Sequence, residues 1–307
     1  MSPQDGSTFL AFHEDELEAQ ALAGHQRAGR AAIRPFMPDQ HREFFALLPY
    51  LFVATPDADG WPMPSVLTGT PGFVQAPDPT TLHVAALPEP NDPAAPSFVA
   101  GADVGLIGLD FTTRRRNRAN GRLVAVDDGL TVAIAQSFGN CAQYIQTRTP
   151  SPRAAAGAPA ERLDHLDDAA RALIEASDTF FIASRSRAGI DGGCLHMSHR
   201  GGKPGFAGVI ADTLAIPDFR GNRFYNTLGN LLGDPRAGLL FIDFASGDIL
   251  QLQGRATIDW HPAGSGPAGA ERLWRIEAVR AWRRRGAFPF VWRFGGYAPT
   301  TLATGIW

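Results

Sequence analysis

Residues 191–242 read DGGCLHMSHRGGKPGFAGVIADTLAIPDFRGNRFYNTLGNLLGDPRAGLLFI. The pattern is a strand, a polar Ser-His-Arg-Gly-Gly turn, two further short strands, a Gly-Asn-Arg helix start and a buried strand. Arg, His, Ser, Asn and Gly gather where the backbone is turning. A phosphate dianion needs guanidinium or ammonium groups together with hydroxyl or backbone donors, and a helix N-terminus adds free N–H groups and the positive end of its dipole. Ser198, Arg200, Lys203, Arg220 and Arg223 offer the first kind of partner, and Asn222, Asn226 and Thr227 are neutral donors. The plainer alternative is a solvated turn followed by an ordinary Asn-capped helix. A Walker loop is excluded because no Gly-Lys-Ser/Thr word exists, and no dinucleotide glycine fingerprint follows a strand.

Outward from this stretch, TFFIAS (179–184) reads as a buried strand, and ERLDHLDDAARALIEASD (161–178) as a helix with Leu163, Leu166, Ala170, Leu173 and Ile174 on one face. The Pro/Ala-rich PSPRAAAGAPA (150–160) is the best linker. The same order of elements stands ahead of it. A helix (38–49) leads to LFVATPDADGWPMPS, then TPGFVQ, TTLHV, ADVGLIGLD and NGRLVAV. The second half runs FFIASRSRAGIDGGCLHMS, KPGFAG, DTLAI, RAGLLFIDF and QGRATID. Pro-Gly-Phe and Gly-Arg recur at corresponding places, so the chain reads as an internal repeat. Strands this short and frequent predict small antiparallel barrels. The expected organisation is an N-terminal helical arm over 1–37, a first split barrel over 38–149, the linker 150–160, a second split barrel over 161–262 and a C-terminal helix and tail over 263–307. The halves differ at one place: a Pro-rich loop (88–96) stands where the second half has the helix of 219–235.

The apolar content of 44% suffices for a sizeable core. A net charge of −3 gives no global field for nucleic acid or an anionic membrane. No apolar run approaches the roughly 18 residues that span a bilayer, and the N-terminus lacks a secretory pattern. Cys141 and Cys194 have no zinc-like spacing, so a reducing, cytoplasmic setting is expected, without a disulfide framework and without a metal. His196 and His199 lie on a strand and turn, where a spacing of three points them to opposite faces, which rejects a metal pair.

Three further segments carry candidates. TRRRNRANGR (113–122) is the most basic run. On a strand Arg114, Arg116 and Arg118 share one face, which is either solvated or in contact with an anion. SFGNCAQYI (137–145) offers Asn140, Cys141, Gln143 and Tyr144 as site walls, or else a Gly-Asn turn and ordinary core. Trp274, Trp282 and Trp292 with Arg280, Arg283, Arg284 and Arg285 suggest a helix covering the barrel, or a lid over a site.

Together SFGNCAQYI, TRRRNRANGR, MSHRGGKPGF (197–206) and DFRGNRFYNTLGNLLGDPRAGLLF (218–241) resemble the long, two-barrel branch of the pyridoxamine 5′-phosphate oxidase-like, FMN-binding split-barrel family, over roughly residues 40–260. The resemblance implies a mainly β fold with flanking helices, two tandem split β-barrels, and one FMN per chain. Its phosphate would be held by Ser198, His199 and Arg200 and then Asn222 and Arg223, with Arg223 where the family usually has Lys. The flavin ring would lie between barrels or at a homodimer interface. The substrate pattern of true pyridoxine-phosphate oxidases is not recognisable. The implied function is an FMN-dependent oxidoreductase acting on a small-molecule substrate, served by an electron donor or a partner reductase, in a homodimer. The alternatives are a haem-binding or haem-degrading protein on the same barrel and a non-catalytic flavin-binding module.

Overall fold

The computed structural model describes residues 9–25, 32–154, 157–264 and 266–307. The outer part of the expected N-terminal arm and the centre of the expected linker lie outside the described residues. The first half opens with helices α1 (Glu14–Leu22) and α2 (Asp39–Ala46). It continues with strands β1 (Tyr50–Pro56), β2 (Pro62–Thr68), β3 (Val74–Asp78), β4 (Thr81–Val84), β5 (Asp103–Asp110), β6 (Arg115–Val126) and β7 (Leu130–Gly139). Then come β8 (Thr147–Pro152), β9 (Glu161–Leu163) and helix α3 (Asp168–Ala176). The second half has β10 (Thr179–Arg185), β11 (Leu195–Gly201), β12 (Gly208–Ile210), β13 (Thr213–Phe219), helix α4 (Asn226–Gly233), β14 (Arg236–Ile242), β15 (Ile249–Asp259) and β16 (Ala270–Arg284). Strand β17 (Phe290–Gly296) and the short α5 (Pro299–Leu302) end the chain. No described helix is long and apolar enough to cross a membrane.

The protein is mainly β. One sheet runs β2-β1-β5-β6-β7-β4-β3 and the other β11-β10-β14-β15-β16-β13-β12, with β9 added to β16. Numbered from its own first strand, each sheet has the same order. Each is an open path, with no ladder between its two end strands among the described residues. Local geometry agrees. Val53 faces Ser65 in one hairpin and Ile182 faces Ser198 in the other. A Cβ added to Gly69 would lie 2.5 Å from the Phe73 ring, and one on Gly202 would lie 2.3 Å from the Phe206 ring. Both Pro-Gly-Phe turns therefore fold their Phe back over a glycine that must lack a side chain.

The central strands are apolar on both faces because both faces are covered. Leu51 and Val53 enter the first core, and Phe180 and Ile182 the second. Tyr50, Phe52 and Ala54 meet Phe181 and Ala183 in a third core between the sheets. Phe52 stacks on Phe181 with ring centroids 3.6 Å apart. The contact is reciprocal. A Cβ on Gly105 (β5) would press on Leu195 and Met197 of β11, and one on Gly238 (β14) on Pro62 and Pro64 of β2.

The ends of the chain differ from expectation. The predicted C-terminal helix over 263–307 is the long strand β16, which completes the second sheet. Trp274 is fully buried in the second core rather than in a lid, and apolar Leu273, Trp274 and Ile276 belong to a covered sheet strand, not a helix face. The start of the linker is β8, which pairs with β17 as a separate ribbon. Helix α1 is not a surface arm: Asp15, Glu16, Ala19 and Gln20 are buried where it packs on α4.

Candidate functional site

Between the halves lies a cleft enclosing about 860 Å³, its open mouth included. The first half contributes Arg116 and Arg118 from β6 and Asn140, Cys141 and Tyr144 after β7. The second contributes Ser198, His199 and Arg200 from β11, Asp218 from β13, the 221–225 loop and the first turn of α4.

β6 alternates across the sheet, so Arg116 and Arg118 share a face, and the second half covers that face. Arg118 is 4% exposed. Its Nε donates to the Met197 carbonyl at 2.9 Å, its Nη1 to Asn226 Oδ1 at 3.3 Å, and its guanidinium lies 5.2 Å from the Phe138 ring centre. Burial, with Arg200 and Arg116 nearby, pushes its pKa down to about 9, so it is still charged at neutral pH. Arg116 Nη1 donates to His199 Nδ1 at 2.8 Å, while its Nε has no partner. Neither guanidinium is in a direct salt bridge among the described residues, although the Glu16 carboxyl, one hydrogen bond away through Asn226, acts on Arg118. A desolvated cation without a direct counter-charge is costly, and an anionic ligand would reduce that cost.

His199 is 6% exposed. Burial and then the Arg116 and Arg200 charges hold its pKa well below the usual imidazole range. Because Arg116 can only donate, Nδ1 accepts and the neutral ring carries its proton on Nε2. That Nε2 is buried without a partner. Arg200 is held by Asp218 at 3.1 Å and stacks 4.5 Å over Trp274, with its Nε unmatched. Arg272 takes the other oxygen of Asp218 at 2.9 Å.

The helix start lies a few residues later than the sequence suggests: 221–225 form a loop and α4 begins at Asn226. Tyr225, at its N-cap, has φ 58° and provides no side-chain cap. The first N–H groups of a helix have no intrahelical partner, so this uncapped end presents donors and a positive dipole to the cleft. Ser198 Oγ and Thr227 Oγ1 sit 2.9 Å apart beside it. Tyr144, Arg223 and Tyr225 all line the cleft at positive φ (61°, 63° and 58°). Non-glycine residues in this region are strained and cluster at functional sites.

Helix α1 supports this end from behind. Buried Glu16 accepts from Asn226 Nδ2 at 2.6 Å, which turns the amide oxygen of Asn226 toward Arg118. His13 Nε2 meets Asn230 Oδ1 at 2.8 Å, and Arg187 clamps Asp15.

The cleft brings together Ser198, His199, Arg200, Asn222, Arg223, Asn226, Thr227, Asn140, Cys141 and Tyr144. It does not bring in Lys203, Arg220 or Gln143. Lys203 sits in the Pro-Gly-Phe turn, where its carbonyl accepts from Phe206. The Arg220 side chain is exposed while its carbonyl takes the Tyr144 hydroxyl at 2.9 Å, and Gln143 accepts from the Cys141 thiol. In the basic run Arg114 is structural, donating to the carbonyls of Ile145 and Tyr297. His196 lies on the other face from His199, buried against Cys194. No group of metal-ligating side chains occurs among the described residues.

No protein-family model matches this chain, and no curated protein does. Among solved structures, HupZ of Group A Streptococcus aligns with 39% of this chain and 94% of its own, at 13% identity and a TM-score of 0.29. A FAD-binding protein from Mesorhizobium loti aligns with 41% of this chain and 97% of its own, at 12% identity and a TM-score of 0.28. General Stress Protein 26 from Bacillus anthracis aligns with 37% and 92%, at 11% identity and a TM-score of 0.27. Each likeness spans well under half of this chain, and the functional reading rests on the cleft's own geometry.

Proposed function

We propose that the two halves are two copies of a split-barrel unit and that the cleft between them binds FMN, making the chain an FMN-dependent oxidoreductase for a small-molecule substrate. The observation that carries this reading is a pair of guanidinium groups without direct salt bridges: buried Arg118 beside the uncapped start of α4, and half-buried Arg116 beside His199. A phosphate dianion is the ligand chemistry such a donor set fits. Ser198, Thr227, the backbone N–H of Asn226, Arg118 and Arg223 would hold the phosphate. His199 Nε2 and Arg116 are donors suited to acceptor atoms elsewhere on the ligand, and Tyr144, Asn140 and Cys141 complete the walls.

The flavin supplies the redox chemistry when bound, and the protein supplies binding, orientation and electrostatics. Donors and positive charge at a buried site favour a ligand that gains negative charge on reduction. Reducing equivalents would come from a diffusing donor or a partner reductase, and a homodimer is the expected assembly. The haem alternative fits less well, because the proton of His199 sits on the nitrogen that would have to bind iron.

The purified protein, or apoprotein titrated with FMN, should show flavin absorption, and mass spectrometry of the released ligand should give FMN. Protein that stays colourless with added FMN, or that instead develops a Soret band with haem, contradicts the reading. Turnover with NADH or NADPH and a panel of acceptors separates an enzyme from a flavin-binding module.

A further inference from the structure

The shared strand order pairs each residue of the cleft with a counterpart on the opposite side of the molecule. Ser198 faces Ile182 in the second sheet, and Ser65 faces Val53 in the first. Arg118 is the partner of Ile107, and Gln251 of Leu240. The Asn140 N–H bonds to the Arg116 carbonyl, and Arg284 is the partner of Ile249. The counterparts of Ser198, Arg118 and Asn140 are thus Ser65, Gln251 and Arg284, on three different strands.

These three side chains converge on one carboxylate. Asp92, from the Pro-rich loop that stands in place of α4, accepts from Ser65 Oγ at 2.6 Å, Gln251 Nε2 at 2.9 Å and Arg284 Nη1 at 2.7 Å. The Ala94 N–H adds a backbone donor at 2.8 Å. Asp92 is 2% exposed, Arg284 3%, and Ser65 and Gln251 are fully buried. Hydroxyl, guanidinium and backbone N–H donors surround an anion, as the cleft's donors are arranged to do. Here the anion belongs to the chain.

We infer that the space around Asp92 is a second anion site, built like the cleft but closed by an internal carboxylate, and that it takes a small monocarboxylate once the Asp92 side chain is removed. The anion must be small and planar, since the loop that carries Asp92 leaves no open mouth. Asp92 gives the loop a function the sequence does not reveal: it fills in the first half the place that the second half leaves for a ligand. The inference does not require that ligand to be a flavin.

The test is the melting temperature of the full-length Asp92→Ala variant in sodium formate and in sodium chloride of equal ionic strength. Formate is the carboxylate that the substitution deletes. The variant should melt well below the wild type in chloride and regain at least half of the loss in formate, with saturation, while the wild type is indifferent to the anion. Equal melting in the two salts, or a variant as stable as the wild type, overturns the inference. Should Asp92→Ala not fold in chloride, its refolding yield in each salt is the readout: recovery in formate alone supports a carboxylate site, and failure in both contradicts it. Asp92→Asn, which keeps the shape without the charge, should be less stable than the wild type and unresponsive to formate. An Asn variant as stable as the wild type, or one that formate stabilises, counts against the inference. None of these readouts involves flavin, so a cleft that failed to bind FMN would leave them unaffected.

Discussion

The cleft beside α4 and the buried cluster around Asp92 are built from corresponding strands, yet one is open and the other filled. The scaffold does not decide this. The segment laid across the strands does. In the second half it is a helix whose uncapped start offers donors, and the first half brings Arg116 and Arg118 to meet it. In the first half it is a Pro-rich loop that brings its own carboxylate, and the positions of Arg118 and Arg116 are held by Gln251 and Ile249. On the proposed reading, the open cleft leaves its guanidinium groups for a ligand, whereas Asp92 occupies the corresponding place in the first half.

The junction gives the largest expected effect. Gly238→Ala would place a Cβ 2.2 Å from the Pro62 carbonyl oxygen, backbone that cannot step aside, and Gly105→Ala one 2.7 Å from that of Leu195. Overpacking of this kind costs about 3 kcal/mol. Chemical denaturation should show both variants destabilised, Gly238→Ala the more. A neutral Gly238→Ala would break the reciprocal contact that relates the halves.

Next come the guanidinium groups. Arg118→Met should weaken FMN binding by about 1.5–3 kcal/mol, the range for a hydrogen bond to a charged group. Gln251→Met, its counterpart, should leave FMN affinity unchanged and lower stability instead. Titration of both variants by flavin fluorescence checks this; equal losses of FMN affinity would erase the distinction between the two pockets. The hydroxyls repeat the contrast on a smaller scale. Ser198→Ala should cost about 1 kcal/mol of FMN affinity, and Ser65→Ala about the same in stability, because Asp92 loses a donor.

The smallest effect is the share of one carboxyl, Glu16, in the pH dependence. His41 is held down to about 4 by burial, then by Arg34 and Arg115. His196 and His199 are held well below the usual value by burial and then by nearby cations. As pH falls below 6.5, the unfolded chain takes up protons at these residues that the folded chain refuses, so their contribution to stability is present above that value and lost on acidification. The Glu16 carboxyl, raised by burial, acts in the opposite direction and gains stability as pH falls. Three histidines outweigh one carboxyl, so the melting temperature should fall toward pH 4, and Glu16→Gln should steepen the decline.

Much of this contrast was legible in the sequence. The Pro-Gly-Phe and Gly-Arg words place the strands because the turn glycines Gly69 and Gly202 have no room for a side chain, a constraint that leaves its mark on the chain. The stretch 191–242 holds most of the second half's wall. What the sequence could not show depended on contacts between distant segments. Alternation puts Arg116 and Arg118 on one face of β6 but cannot say that another sheet covers that face. Nothing in the acidic sequence of α1 signals that Glu16 is buried against Asn226 and His13. Asp92 lies in a loop without periodicity, and its partners come from three remote strands. The Arg-rich run at 280–285 resembles an exposed helix because several of its guanidinium groups are matched by distant acids, Arg280 by Asp57 and Arg283 by Asp167.

The most direct test of the central claim is a paired titration of the apoprotein with FMN and with riboflavin, which differ by the phosphate alone. Guanidinium groups without direct salt bridges beside the start of α4 predict FMN bound more tightly by at least about 1.5 kcal/mol, roughly tenfold, with the difference shrinking as salt is added. Equal affinities, or no binding of either, would contradict a phosphate-holding cleft.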